Sequence, residues 1–282
     1  MVKLVTPVNV GRPAFSLRLE DKIVVLGSCL CDQLGEHLKD AGFQIMVNPF
    51  GTLYNPKSVE NAVNRLESGR PFEEKDCVRM GAGSDLFCSF EHYTKFARPT
   101  PEEFLAGAND ALAEAARFWK EANRVIVVLS TAFVWERDGR VVANCLKRPA
   151  AEFTRRMLSV EEVAASVRSL AARGYDRQLL AMVCPIRQMA DPRGNTLSKA
   201  TLHLGLDAAG VPYFPAYEIV HDELRDYRFY ADDLIHPSQP ALQILWERLL
   251  GAVGDSAQLG QIEANEKETK AARHRNILCQ KN

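Results

Sequence analysis

Four short apolar runs constrain this chain more than any other feature: Lys22–Leu26, Arg124–Leu129, Leu179–Cys184 and Val211–Phe214. Each is continuous rather than alternating, the pattern expected of a strand buried on both faces of a parallel sheet. Gln44–Val47 is a weaker fifth run. Between the runs lie segments with apolar or small residues at three-and-four spacing: Cys31–Ala41, Pro56–Leu66, Pro101–Glu121, Ser159–Arg173 and Leu197–Ala209. Three of these open on Pro or Ser, and the first closes at Gly42, as helix ends require. Strands alternating with helices of this length predict a doubly wound α/β sheet.

Two segments break the alternation. Asp76–Ala97 mixes Gly81-Ala82-Gly83 with four aromatic residues and reads as a β-hairpin or irregular cap. Phe133–Asn144 alternates around Asp138-Gly139, a strong hairpin signal. Gly260–Asn282 has few apolar positions and is expected to be a frayed helix or tail. The chain therefore reads as one domain over residues 1–260, with its core at about 22–250, followed by a charged tail over 261–282.

Bulk properties exclude several classes. Hydrophobic content of 46% and charged content of 25% are ordinary for a globular chain of 282 residues. A net charge of −1 gives no general attraction to nucleic acid or anionic membrane. Met1–Pro7 lacks the apolar core of a signal peptide, and no stretch reaches the about 20 apolar residues that span a bilayer. The seven cysteines are irregularly spaced, so reduced thiols in a cytoplasmic protein are expected. Cys29 and Cys31 stand too close for a zinc knuckle, and no metal or organic cofactor is expected.

The residues that could carry chemistry begin with Gly27-Ser28-Cys29, directly after the first apolar run. A serine there stands at the carboxyl edge of the sheet, where open α/β folds build their sites. Ser28 is equally suited to cap the following helix. Some two hundred residues on, Asp233 and His236 project from one side of a single turn. Together the three can supply a nucleophile, a base and the group that orients the base. Cys29 is expected to point inward rather than compete as a nucleophile. His92, in Phe90-Glu91-His92-Tyr93, is either a pocket residue or a surface histidine. Lys147, Arg148, Arg155, Arg156 and Arg187 can greet an anionic substrate or form a solvated face. Tyr217 and Glu218 follow the last run at the same edge and can shape a pocket.

Gly27-Ser28-Cys29-Leu30-Cys31 resembles the opening block of the GSCFA family, a branch of the SGNH/GDSL hydrolase superfamily. The resemblance continues through Asn48–Pro56, Asn144-Cys145 with Lys147, Glu152–Arg156, Pro185–Arg187, Leu197–Ala200, Tyr217–Ile219, Asp226–Tyr230 and Asp232–Ser238, in one order. It implies a flavodoxin-like three-layer α/β/α sandwich with a mostly parallel five-stranded sheet. It also implies Ser28 as nucleophile, His236 as general base and Asp233 as its partner. The superfamily builds its oxyanion hole from the serine amide, a glycine after the second strand and an asparagine after the third. Ser28 and Gly51 fit the first two places. The third reads Ser130-Thr131-Ala132-Phe133, so that asparagine is missing; Asn48, Asn55 and Asn144 are candidate substitutes.

The expected activity is hydrolysis of a small acyl ester, an O-acetyl group on a carbohydrate or other small molecule foremost. Transfer of the acyl group to a polysaccharide or glycolipid uses the same residues. A non-catalytic carbohydrate-binding or scaffold protein is the rival of a different class. The acyl group, the alcohol and the oligomeric state are not written in these motifs.

Overall fold

The computed structural model describes residues 5–81, 83–174 and 177–279. The first four residues of the amino-terminal stretch, Ala82 of the Gly-Ala-Gly segment and the last three residues of the tail lie outside them. In chain order the elements are β1 (Lys22–Gly27), α1 (Leu30–Asp40), β2 (Gln44–Val47), α2 (Pro56–Ser68), β3 (Val78–Arg79), β4 (Phe87–Cys88), α3 (Pro101–Glu121), β5 (Arg124–Leu129), β6 (Phe133–Arg137), β7 (Arg140–Val142), β8 (Thr154–Met157), α4 (Val160–Ala171), β9 (Gln178–Val183), α5 (Pro192–Ala209), α6 (Ala216–Glu218), α7 (Gln239–Val253) and α8 (Leu259–Cys279).

The continuous apolar runs form the central sheet, in the order β2-β1-β5-β9 with every pairing parallel. Alternate residues of each strand enter two separate cores. Val24, Leu26, Val125, Val127, Leu179 and Ala181 face α2, α3, α4 and α5. Ile23, Val25, Ile126, Val128, Leu180 and Met182 face α1, α7 and the segment after α6. The result is the expected three-layer α/β/α arrangement. The expected fifth strand, Val211–Phe214, is reduced to a single parallel bridge between Tyr213 and Ala181. Pro212 and Pro215 on either side cannot donate to a ladder, so pairing stops there.

Both insertions lie on the α2–α5 side, sending Met80, Cys88, Val134, Leu146 and Leu158 into that core. β3 and β4 pair antiparallel, as expected for the aromatic segment. β6 and β7 form the hairpin announced by Asp138-Gly139, both of which take positive φ, 51° and 73°. β8, not anticipated as a strand, pairs with the other edge of β6.

Through Cys279, the charged tail is a continuous helix, α8. Ile262 of α8 is fully buried, Asn265 donates to the Ala41 carbonyl at 2.9 Å, and Arg273 grips both oxygens of Asp40. Trp246 of α7 donates to Glu266 at 2.5 Å. These contacts are mainly polar, which is why apolar periodicity did not reveal them.

His92 is a core residue, which corrects its reading as a pocket or surface histidine. It is 0% exposed and surrounded by Phe50, Phe72, Phe96 and Phe104. Its Nδ1 meets Ser89 Oγ at 2.7 Å and its Nε2 has no partner. Burial, assisted by the Arg65 charge, lowers its pKa from 6.5 to about 3. The unfolded chain therefore takes up a proton at a pH where the folded one does not, and stability falls as pH drops from 6.5 towards 3. At pH ~5 this loss is about 2 kcal/mol. Denaturant unfolding of His92→Leu at pH ~7 and ~5 should show it: the variant loses less between the two pH values than the wild type.

Gly27 ends β1 opposite Val128 of β5 with φ +134°. A Cβ at this position would lie 2.1 Å from the Val128 carbonyl oxygen. Strand and elbow meet here without room for a side chain. Gly27→Ala is expected to destabilise by on the order of 3 kcal/mol, from backbone strain and overpacking together. Equilibrium urea unfolding checks this, and a midpoint unchanged from wild type contradicts it.

Candidate active site

The chain leaves β1 toward α1 on one face of the sheet and leaves β5 toward α4 on the other. Such a switch point opens a crevice at the carboxyl edge, and Ser28 stands at its lip, one residue past β1. The Ser28 amide donates to the Val128 carbonyl at 2.9 Å, and its own carbonyl accepts from Cys31 to start α1. The residue is 0% exposed, and among the described residues its hydroxyl has no hydrogen-bond partner. Ser28 therefore does not cap α1 through its side chain. A buried hydroxyl left unpaired costs about 1–3 kcal/mol.

After β2 the chain turns at Asn48 (φ 42°) and Gly51 (φ 84°). Asn48 ties the two strand ends together: its amide donates to Val25, and its side-chain oxygen accepts from the Gly27 amide at 2.9 Å. A Cβ on Gly51 would come within 2.4 Å of the Tyr93 Cβ. The Gly51 amide donates to the Asn48 carbonyl at 2.7 Å. Both amides expected to form an oxyanion hole, those of Ser28 and Gly51, are thus held by backbone carbonyls. The reason is local: one continues the β1–β5 ladder and the other closes a tight turn. Asn55 caps α2 through the Ser58 amide at 2.8 Å, and Asn144 accepts from the Leu146 amide at 2.8 Å.

The loop after β5, where the asparagine is missing, is held by α5. Ser198 Oγ accepts from the Ala132 amide at 2.7 Å and contacts Thr131 Oγ1 at 3.0 Å. Lys199 Nζ donates to the Ser130 carbonyl at 2.6 Å and the Cys184 carbonyl at 2.7 Å. Ser198 and Lys199 stand in the Leu197–Ala200 block, with no role assigned to either from sequence. The signal was there: they precede the buried Leu202 by four and three residues, so helical spacing puts them on its inward face.

Asp233 and His236 come together as the spacing predicts. Asp233 Oδ2 lies 2.5 Å from His236 Nδ1, and its other oxygen accepts from the amides of Ile235 and His236, each at 2.9 Å. Those backbone donors, with the imidazole, hold the Asp233 carboxyl down to about 2. Leu234, at φ 57°, closes the turn. With the carboxylate as acceptor, Nδ1 carries the proton and Nε2 is the free base position. The turn is anchored to the sheet edge: Tyr230 bridges Pro237, and its hydroxyl meets His221 Nδ1 at 3.3 Å. His221 Nε2 in turn donates to the Pro185 carbonyl, just past β9, at 2.8 Å. Among the described residues no hydrogen bond joins Ser28 to His236.

The remaining candidates scatter. Arg187 lies among Lys199, Tyr217, His221 and Tyr230, where its charge helps lower the pKa of Lys199 and His221. Glu218 accepts from the Tyr213 hydroxyl at 2.8 Å and faces His203 at 3.6 Å. Lys147 is exposed, on the insertion side of the fold, beside Gly81. Burial pushes the Cys29 thiol up to about 12, which disfavours a thiolate nucleophile. No cluster of metal-ligating side chains exists among the described residues, and no helix among them is long and apolar enough to cross a membrane. A groove of about 850 Å³ between α2, α4 and the β6–β7 hairpin is lined by Arg156 but by neither Ser28, Asp233 nor His236. Its charged side chains mostly pair with one another, Arg156 with Glu136 and Glu162, and Lys57 with Glu60 along α2.

The GSCFA family model matches residues 22–249. No curated protein matches the chain. Among solved structures it is similar to LAE5, an α/β hydrolase enzyme from the metagenome of Lake Arreo, Spain, with 11% identity over 84% of this chain and 96% of that one, at a TM-score of 0.45. It is also similar to the psychrotrophic esterase EstA from Pseudoalteromonas sp., with 11% identity over 83% of this chain and 96% of that one, at a TM-score of 0.38. Neither likeness carries an argument about this chain's reaction. The family match spans the whole sheet and both halves of the candidate site, and the chain belongs to the GSCFA family.

Proposed function

We propose that this protein is an SGNH-type serine hydrolase of small acyl esters, with Ser28 as nucleophile, His236 as general base and Asp233 as the residue that orients His236. One observation carries the reading: the Asp233–His236 pair is formed in advance, at 2.5 Å, with Nε2 left as the base. The unpaired Ser28 hydroxyl at the same edge supports it.

In the reaction, Ser28 Oγ bonds to the acyl carbon as its proton passes to His236 Nε2. The carbonyl oxygen becomes an oxyanion, and the C–O bond to the alcohol breaks as His236 returns the proton to that alcohol. Water then releases the acyl group by the same steps, and a sugar hydroxyl in its place makes the reaction a transfer. Ser28 is sealed in the present form, so acylation requires the covering chain to open and bring His236 to the hydroxyl.

The engaged Ser28 and Gly51 amides favour a second reading, a non-catalytic protein that keeps the fold. Fluorophosphonate labelling separates the two. The first reading expects one adduct on Ser28 by intact mass and peptide mapping, none in Ser28→Ala or His236→Ala, and slowed labelling in Asp233→Asn. An unlabelled, folded wild type supports the second.

A further inference from the structure

Beside Ser28, Lys199 is a side chain of the carboxyl edge whose presence the fold itself does not explain. It is 2% exposed, and among the described residues no carboxylate pairs with it. Burying a lone ammonium costs several kcal/mol, and an apolar side chain of similar length would fill the same space without that cost. An ammonium has three donors. Two are spent on the carbonyls of Ser130 and Cys184, the residues immediately after β5 and β9. The third is unassigned.

Its position relative to Ser28 follows from the strand ends. Ser28 donates to Val128, two residues before Ser130, the carbonyl that Lys199 holds. The amides of Ser130 and Thr131 both donate to Tyr54, and the neighbouring Leu53 amide donates to Gly27. Cys29, next to Ser28 in the chain, lies close enough to couple electrostatically to Lys199. Lys199 therefore anchors the loop that lacks the superfamily's asparagine, while Ser28 beside it keeps a buried hydroxyl with no partner.

We propose that Lys199 takes the place of the missing asparagine, with its third ammonium proton donated to the oxyanion that forms when Ser28 attacks an acyl carbon. The inference rests on Ser28 being the nucleophile. A cation is a stronger donor to a developing anion than a neutral amide, and in a dry site its charge is little screened. This accounts for a catalytic site in which backbone amides are already occupied.

The groups that face Lys199 are Cys29 after β1, Cys184 after β9, Arg187 in the loop beyond it, His203 on α5, Tyr217 on α6 with its ring centroid 6.0 Å from Nζ, and His221 in the turn that follows. Burial lowers the Lys199 pKa from 10.5 to about 8, with the Arg187 charge adding to the effect. The ammonium is the active form, so activity should be lost as pH rises through about 8.

The test follows the rate of Ser28 phosphonylation by a fluorophosphonate, in which the Oγ–P bond forms, the P–F bond breaks and fluoride leaves, between pH ~6 and ~10. Lys199→Met should label about 10²–10³-fold more slowly than wild type, with no fall near pH 8 and an unchanged circular dichroism spectrum. Lys199→Arg should regain part of the rate and carry it to higher pH. Labelling of Lys199→Met within threefold of wild type overturns the proposal and leaves the Ser28 reading intact. So does a wild-type rate that is flat through pH 8, which needs no variant to fold. A fall near pH 8 that Cys184→Ser abolishes also overturns it, by assigning the titration to that thiol. A wild type that takes no label at Ser28 overturns the function reading itself, and this one with it.

Discussion

Burial of the parallel sheet on both faces governs everything else in this molecule. Each strand sends alternate side chains into two cores, so helices must cover both sides and every connection must run over the sheet's ends. That requirement places the ends of β1, β2, β5 and β9 side by side at one edge. It also places the residues that follow them, Ser28, Asn48, Ser130 and Cys184, within reach of one another's backbones. The site is thus a by-product of how a two-faced sheet has to be connected, and its polar groups meet because the strands are in register.

The edge is unusually rich in groups that do not help the fold. Ser28 keeps a hydroxyl with no partner, and Lys199 keeps a charge with no counterion among the described residues. Each opposes folding, and the apolar burial on either side of the sheet is what sustains them. By contrast, the two backbone amides nominally suited to catalysis are fully used, one by the ladder and one by a turn. The stored cost lies in side chains rather than in the main chain. This is the opposite of an oxyanion hole built from free amides, and it is the arrangement on which the proposal for Lys199 rests.

Two additions to the sheet do different jobs. The β3–β4 and β6–β8 insertions extend the α2–α5 core and enclose the aromatic cluster around His92, which makes them structural as well as peripheral. The last helix binds the opposite layer through Asp40, Ala41 and Trp246. It stabilises the end of α1, the helix that begins at the serine elbow, and so reaches the site only through that helix.

Much of the architecture was legible in the sequence. Three continuous apolar runs and the weaker Gln44–Val47 run located the four strands to within a residue or two, because both-face burial favours apolar composition. The fourth continuous run, Val211–Phe214, formed only a single bridge. Asp138-Gly139 located a hairpin turn, because few other residues accept two successive positive φ values. The Asp-x-x-His spacing located the carboxylate–imidazole pair, because a single turn brings those side chains together without tertiary help. Other properties depend on what the rest of the chain brings near. The burial of His92, the docking of α8 and the loss of a fifth strand all arise from contacts between distant segments. The environment of Lys199 belongs to the same class: its two carbonyl partners lie 69 and 15 residues away. Sequence by itself determined the four strands of the central sheet, most of the helices that cover it and which turn carries the imidazole, since those follow from local periodicity. Only the tertiary structure decided which polar groups are sealed, paired or left unpaired, since desolvation depends on neighbours that no local pattern records.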